Sequence, residues 1–199
     1  MPEPTEKFWN DCYAAGKTGW DRGAVHPFLI HLLNDGILEP CRMVVPGCGR
    51  GYEWLELAGR GFNVTGIDLA DEPVQYLRQH PANAGSNAEV VQKDIFDYRP
   101  QAPVDVVYEQ TCLCAISPKH REQYEQTVFE WLKPGGRLFI LFAQKETNPG
   151  DGPPFHCGLS EMELLFSTSR WRWENDESFF KFEHPSKRLF ELGFTLTKK

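Results

Sequence analysis

Arg42-Met43-Val44-Val45-Pro46-Gly47-Cys48-Gly49-Arg50-Gly51-Tyr52-Glu53, followed by Gly66-Ile67-Asp68, is the stretch that decides the fold. A short apolar run enters a glycine-rich turn. A helical pattern follows, and a second apolar run stops at a carboxylate. Open α/β sheets build nucleotide and nucleoside sites in this way: glycines let the backbone approach a ligand, and the acid after the second strand grips ribose hydroxyls. The glycines stand as G-x-G-x-G, one residue tighter than the G-x-G-x-x-G of dinucleotide folds. Glu53 sits close to the helix start, where it repels a diphosphate but not a sulfonium or an amine. Asp68 suits either ligand class, because both carry a ribose.

Outward from this stretch the pattern alternates. Strands are predicted at about Arg42 to Val45, Asn63 to Ile67, Glu89 to Gln92, Val104 to Tyr108 and Arg137 to Ala143. Helices are predicted at about Tyr52 to Arg60, Pro73 to Gln79 and Pro118 to Leu132, the last closed by Lys133-Pro134-Gly135-Gly136. The continuous apolar runs of the fourth and fifth strands fit strands buried on both faces. Such alternation argues a parallel sheet with helices on both faces. After a helix at about Ser160 to Phe166, strands at about Arg170 to Glu174 and Arg188 to Thr197 follow with only a short connection, as an antiparallel pair does. Residues 5 to 33 read as helical in pieces. Phe8, Trp9, Cys12 and Tyr13 share one helical face, Lys17-Thr18-Gly19-Trp20-Asp21 interrupts, and His26-Pro27 restarts a helix that Asn34-Asp35-Gly36 ends.

The 199 residues, 41% hydrophobic, suffice for one domain with a sizeable core. The formal net charge of -7 disfavours nucleic acid as a partner. No apolar run is long enough for a membrane span, and Met1 to Lys7 lacks the basic start and apolar centre of a signal peptide. A cytoplasmic protein is expected. The 6 cysteines include no C-x-x-C pair and the 6 histidines no i,i+4 pair with a third ligand nearby, so reduced thiols and no metal are expected.

Two further acidic or polar groups follow strand ends, where open α/β sheets bind ligands. Asp94-Ile95-Phe96 follows the third strand, where a carboxylate accepts a hydrogen bond from an adenine amine. Glu109-Gln110-Thr111 follows the fourth.

The set resembles the seven-stranded methyltransferases that use S-adenosylmethionine, with a Rossmann-like class I fold and an antiparallel last strand. Within them it is similar to the thiopurine S-methyltransferase family, nearest its thiol and halide methyltransferase branch. The resemblance covers nearly the whole chain. Its most specific matches are Phe8-Trp9 with Gly16-Lys17-Thr18-Gly19-Trp20-Asp21, Val45-Pro46-Gly47-Cys48-Gly49-Arg50-Gly51, Cys114-Ala115-Ile116-Ser117-Pro118, and Gly152-Pro153-Pro154-Phe155, of which the first and last are the narrowest. It implies a single domain over residues 1–199, with residues 1–36 a helical lid that covers the cofactor through Trp9, Tyr13 and Trp20. It further implies that Gly47 and Gly49 approach the methionine part of S-adenosylmethionine, that Asp68 binds the ribose, and that Asp94 and Ile95 frame the adenine. Gln110 and Thr111 lie near the sulfonium and the incoming substrate, while Trp20, Phe155 and His156 line the acceptor pocket. The animal thiopurine enzymes carry an arginine where this chain has Gln110, and its absence argues against a thiopurine substrate.

The chemistry suits these residues. A thiolate attacking a sulfonium methyl cancels charge as the bond forms, and a dry site favours that transition state. Aromatic faces stabilise a nearby sulfonium by about 1 kcal/mol each. A thiol is already a few per cent ionised at neutral pH, so positioning does much of the work. His156 is the candidate base, and Cys112 and Cys114 read as buried small residues. The expected activity is S-methylation of a small thiol by a monomer, hydrogen sulfide and methanethiol first, with S-adenosylhomocysteine as product. Thiocyanate, halide, thiopurine, selenium or tellurium acceptors are the alternatives. A nicotinamide oxidoreductase or a non-catalytic cofactor-binding domain are the alternatives of another class.

Overall fold

The computed structural model describes residues 4–80, 87–146, 148, 150–174 and 180–199. The chain is a mixed α/β protein with 8 strands among the described residues. It divides into two compact units, Thr5–Tyr98 and Arg99–Lys199.

The first unit holds the helices α1 (Glu6–Ala14), α2 (Pro27–Asn34), α3 (Tyr52–Gly59) and α4 (Asp71–Gln79), with the strands β1 (Arg42–Pro46), β2 (Asn63–Asp68) and β3 (Glu89–Gln92). The strands lie in the order β3-β2-β1, all parallel, with Val45 opposite Gly66 and Ile67 opposite Val91. Local chemistry sets the helix ends. Thr5 caps α1 through the Phe8 amide, and the His26 ring accepts from the Phe28 amide to cap α2, with Pro27 at the first helical position. Helix α4 opens on Asp71 and Glu72, which suit the positive end of its dipole, and buries Val74 and Leu77. The Trp54 indole is fully buried and donates to the Glu89 carbonyl at 2.9 Å, pinning α3 to the start of β3.

The second unit holds β4 (Val104–Glu109), α5 (Arg121–Trp131), β5 (Leu132–Gln144), α6 (Leu159–Leu165), β6 (Trp171–Trp173), β7 (Phe180–Glu183) and β8 (Phe190–Lys198). The order is β4-β5-β8-β6, with β7 also on β8. β4 and β5 are parallel, whereas β5, β6 and β7 all run antiparallel to β8, as the short connection foretold. Phe142, Phe166, Trp171, Trp173 and Phe194 form an aromatic core with ring centroids 5.2 to 6.1 Å apart.

Differences from the expected pattern have local causes. The strand expected from Arg137 begins at Leu132, because Leu132 pairs with Val104 before a bulge shifts the register towards Val106 and Arg137. The helix expected from Pro118 starts as a 3-10 turn over Pro118–His120 and becomes α-helical at Arg121. Seven strands were expected, and β7 is the eighth. Its four residues alternate between half-buried and exposed, so only one face carries apolar weight. Among the described residues no helix is long and apolar enough to cross a membrane.

Candidate functional site

The glycine turn lies in the first unit. Gly47, Gly49 and Gly51 all have positive φ, at 59°, 50° and 72°, so side chains there would be strained. The third glycine has a packing reason as well: a Cβ on Gly51 would stand 2.5 Å from Leu77 of α4. The turn is held from β2, where the Cys48 amide donates to the Ile67 carbonyl at 2.9 Å. Asp68 reaches back to it. Its Oδ2 accepts from the Gly49 amide at 2.8 Å and its Oδ1 from the Ala70 amide at 2.9 Å. Burial pushes the Asp68 carboxyl up, against the pull of the Ala70 and Gly49 amides. The acid predicted for ribose binding therefore also staples the glycine turn to the end of β2.

The N-terminal segment belongs to the same unit and lies over the turn. A Cβ on Gly49 would meet the Tyr13 hydroxyl at 3.2 Å. Trp20 packs edge-on against both Trp9 and Tyr13, with centroids 5.3 and 5.7 Å apart, and its indole hydrogen-bonds the Tyr13 hydroxyl. Burial and the Asp68 charge push the Tyr13 phenol up, so it stays neutral. Arg50, from inside the turn, ion-pairs Asp21 at 3.1 Å and Glu72 at 3.0 Å and lies over the Tyr13 ring. Asn10 and Asp71 exchange hydrogen bonds: the Asp71 amide donates to Asn10 Oδ1 at 2.8 Å, and Asn10 Nδ2 donates to Asp71 Oδ2 at 3.2 Å. Glu53 is buried and accepts the His26 amide at 2.8 Å, which commits its carboxylate to anchoring α2. After β3, Asp94 accepts the Phe96 amide at 2.9 Å through Oδ1, and Ile95 beside it is half-buried.

These residues fit a nucleoside cofactor with a sulfonium. The turn brings bare backbone up to Tyr13, a carboxylate stands at its edge, and the aromatic group over it carries no charge of its own. Among the described residues no group of three or more His, Cys, Asp or Glu is placed to hold a metal ion.

The other predicted residues belong to the second unit. Gln110 follows β4, and its side-chain carbonyl oxygen is buried without a hydrogen-bond partner among the described residues. Thr111 has a positive φ of 59°. Phe155 and His156 lie on a loop tied down by main-chain bonds: Phe155 N–H donates to the Cys114 carbonyl at 2.6 Å and Cys157 N–H to the Ala143 carbonyl at 2.9 Å. The Phe155 ring folds back over Gly152, where a Cβ would come within 2.3 Å of it. The Lys145 amide donates to His156 Nδ1 at 3.0 Å, so the neutral ring carries its proton on Nε2. That tautomer makes His156 a hydrogen-bond donor; acting as a base would require it to surrender the Lys145 bond.

Sequence reasoning missed the residues that hold this loop. Arg121 is buried and donates to the His156 carbonyl at 2.8 Å and to Glu161 at 2.8 Å. Gln144 donates to the Cys157 carbonyl at 2.6 Å. Glu109, which the sequence already put after the fourth strand, holds the neighbouring turn: it is fully buried, and its Oε1 accepts both the Cys112 and the Leu113 amides at 2.8 Å. An arginine on a short helix and an acid at the end of an apolar strand are the only sequence signals they leave. None of the six cysteines forms a disulfide, Cys112 and Cys114 are buried as expected, and burial pushes the Cys114 thiol well up and the Cys157 thiol up to about 12.

Comparison with known proteins agrees. The fold is shared with 1,6-didemethyltoxoflavin-N1-methyltransferase of Burkholderia thailandensis, solved with S-adenosylhomocysteine: the TM-score is 0.79 at 20% identity, over 98% of this chain and 87% of that one. A probable thiol methyltransferase 2 of Arabidopsis thaliana is 32% identical over 168 residues, 83% of this chain and 74% of its own. Thiocyanate methyltransferase 1 of Brassica oleracea is 30% identical over 169 residues, 82% of this chain and 73% of its own. The family model for thiopurine S-methyltransferase matches residues 4–194, from the N-terminal aromatics through the glycine turn to the last strand, and the chain belongs to that family.

Proposed function

We propose that this chain methylates small thiols, hydrogen sulfide and methanethiol first, with S-adenosylmethionine as the methyl donor and S-adenosylhomocysteine as the product. The donor supplies a methyl on a sulfonium, open to in-line attack by a thiolate. Gly47 and Gly49 receive its methionine part, Asp68 the ribose, and Asp94 with Ile95 the adenine. Residues 1–36 act as the lid of a single-domain, cytoplasmic monomer, and Trp9, Tyr13 and Trp20 exclude water and favour the cation.

The observation that carries the thiol reading is the buried, unpartnered carbonyl oxygen of Gln110. Such an acceptor costs about 1–3 kcal/mol until a donor reaches it. A thiol can dock there as an S–H donor before it releases its proton to solvent and attacks as the thiolate, whereas a halide or thiocyanate ion has no proton to offer. Thr111 borders the same position, Phe155 supplies an apolar wall, and His156 offers Nε2–H to the acceptor. A neutral amide at this position also lacks the cation that would suit an electron-rich thiopurine. The relative named for thiocyanate supports a second reading, in which that anion is the acceptor.

Headspace chromatography over enzyme, S-adenosylmethionine and an acceptor panel tests the proposal. Methanethiol and dimethyl sulfide are the expected products. Turnover of thiocyanate, iodide or a thiopurine with neither sulfide nor methanethiol used would sink it. Binding of S-adenosylmethionine with no turnover on any acceptor would favour a non-catalytic role.

A further inference from the structure

The second unit buries an acid that none of the roles above employs. Glu109 is the last residue of β4 and is fully buried. One carboxyl oxygen takes the Cys112 and Leu113 amides, the Leu141 amide of β5 also pulls on the carboxyl, and the other oxygen is buried with no partner at ordinary hydrogen-bond geometry among the described residues. Those two amides close the turn in which Thr111 adopts its positive φ and from which Gln110 projects. The Cys114 carbonyl at the end of the same turn receives the Phe155 amide. One carboxyl thus underlies both segments proposed for the acceptor.

The surroundings are polar and crowded. Glu191 of β8 acts on Glu109 through its charge, and Glu109 in turn acts on Tyr124 of α5, Cys114 of the turn and Cys157 of the acceptor loop. Cys112 is held directly by the carboxyl, and the Arg121 guanidinium of α5 lies against Cys157 at 3.6 Å. An ionised carboxylate accepts backbone amides about twice as strongly as a neutral acid does. Loss of one proton therefore tightens the turn, and its gain loosens it.

We propose that Glu109 is a positioning residue for the acceptor: its buried carboxyl fixes the Gln110–Thr111 turn, and its proton occupancy sets how firmly the turn is held. Burial raises the Glu109 carboxyl to about 7, against the pull of the Leu113 and Cys112 amides and with the help of the Glu191 charge. The change falls in the range where a cytoplasmic enzyme works. The proposal rests on Gln110 and Thr111 serving the acceptor.

Two readouts on the full chain test it, with Glu109→Gln as the variant, since glutamine keeps an acceptor for the two amides and cannot ionise. By NMR, the Cys112 and Leu113 amide shifts should follow one titration near pH 7 in the parent chain and none in the variant. By kinetics, the variant-to-parent ratio of methanethiol KM should rise several-fold from pH 6 to pH 8, while the dissociation constant for S-adenosylhomocysteine stays equal in both. Ionisation of the thiol itself cancels in that ratio. Absence of the amide titration overturns the proposal whether or not thiols are methylated. So does a flat KM ratio, or a cofactor affinity that moves in step with KM. Amide titration in a chain that methylates no thiol overturns the thiol reading instead.

Discussion

The two units solve different problems with different means. In the first, the ligand cradle is local. The glycine turn, the end of β2 and the start of α3 lie within a short run of chain, and Asp68 joins them with two backbone hydrogen bonds. In the second, the proposed acceptor elements are assembled from afar: the loop at Phe155–Cys157 is held by Cys114, Arg121, Ala143 and Gln144, which come from separate parts of the chain. The proposed cofactor cradle is thus written in one contiguous motif, whereas the proposed acceptor elements depend on tethers far apart in the chain.

The largest effect expected from this contrast lies in the buried acid of the second unit. The folded value for Glu109 is about 7, above the ordinary 4.5. Its contribution to stability is therefore whole below about pH 4.5 and lost as pH rises through about 7. Glu109→Gln lacks that loss, so the stability difference between variant and parent should move in the variant's favour by roughly 3 kcal/mol between pH 4.5 and 8. Urea denaturation across that range measures it, and a constant difference would refute the assigned titration.

Arg121→Met removes the guanidinium bonds to the His156 carbonyl and Glu161. A loss of about 2 kcal/mol in stability is expected for bonds from a buried charged group. If the two units work separately, acceptor KM rises while S-adenosylhomocysteine affinity by calorimetry holds, and equal losses in both would blur the contrast. Asp68→Ala is the mirror experiment. Cofactor binding should weaken by about 1–3 kcal/mol, and unchanged affinity in a folded variant counts against the ribose assignment. The smallest effect belongs to Gly152→Ala. The new Cβ displaces the Phe155 ring, and the KM ratio of methanethiol to sulfide should rise by a few-fold, about 1 kcal/mol. An unaltered ratio would remove Phe155 from the acceptor wall.

The same contrast explains what the sequence made legible. The glycine turn, the strand ending in Asp68 and the apolar run of β4 could be read directly, because contiguous residues dictate each of them. Trp20 could be singled out from its glycine-flanked loop, and it packs on Trp9 and Tyr13. Arg121 could not, since a helix position next to Pro118–His120 reads as solvent-facing until the partner loop is placed. His156 could be placed on the right loop but not given its tautomer, which depends on the Lys145 amide across the chain reversal. Glu53 could be read as a charge near the helix start, but not as the partner of the His26 amide. β7 escaped because four alternating residues carry little apolar signal of their own.

The Phe155–Cys157 loop has one property with a practical reach. Most of its restraints fall on its own main-chain atoms: the Phe155 amide on the Cys114 carbonyl, the Cys157 amide on the Ala143 carbonyl, and the His156 and Cys157 carbonyls under the Arg121 and Gln144 side chains. The Phe155 side chain is therefore replaceable without cutting any of these bonds. That makes the loop a natural place for new acceptor preferences to arise by single substitutions, and the first place to randomise in redirecting the enzyme.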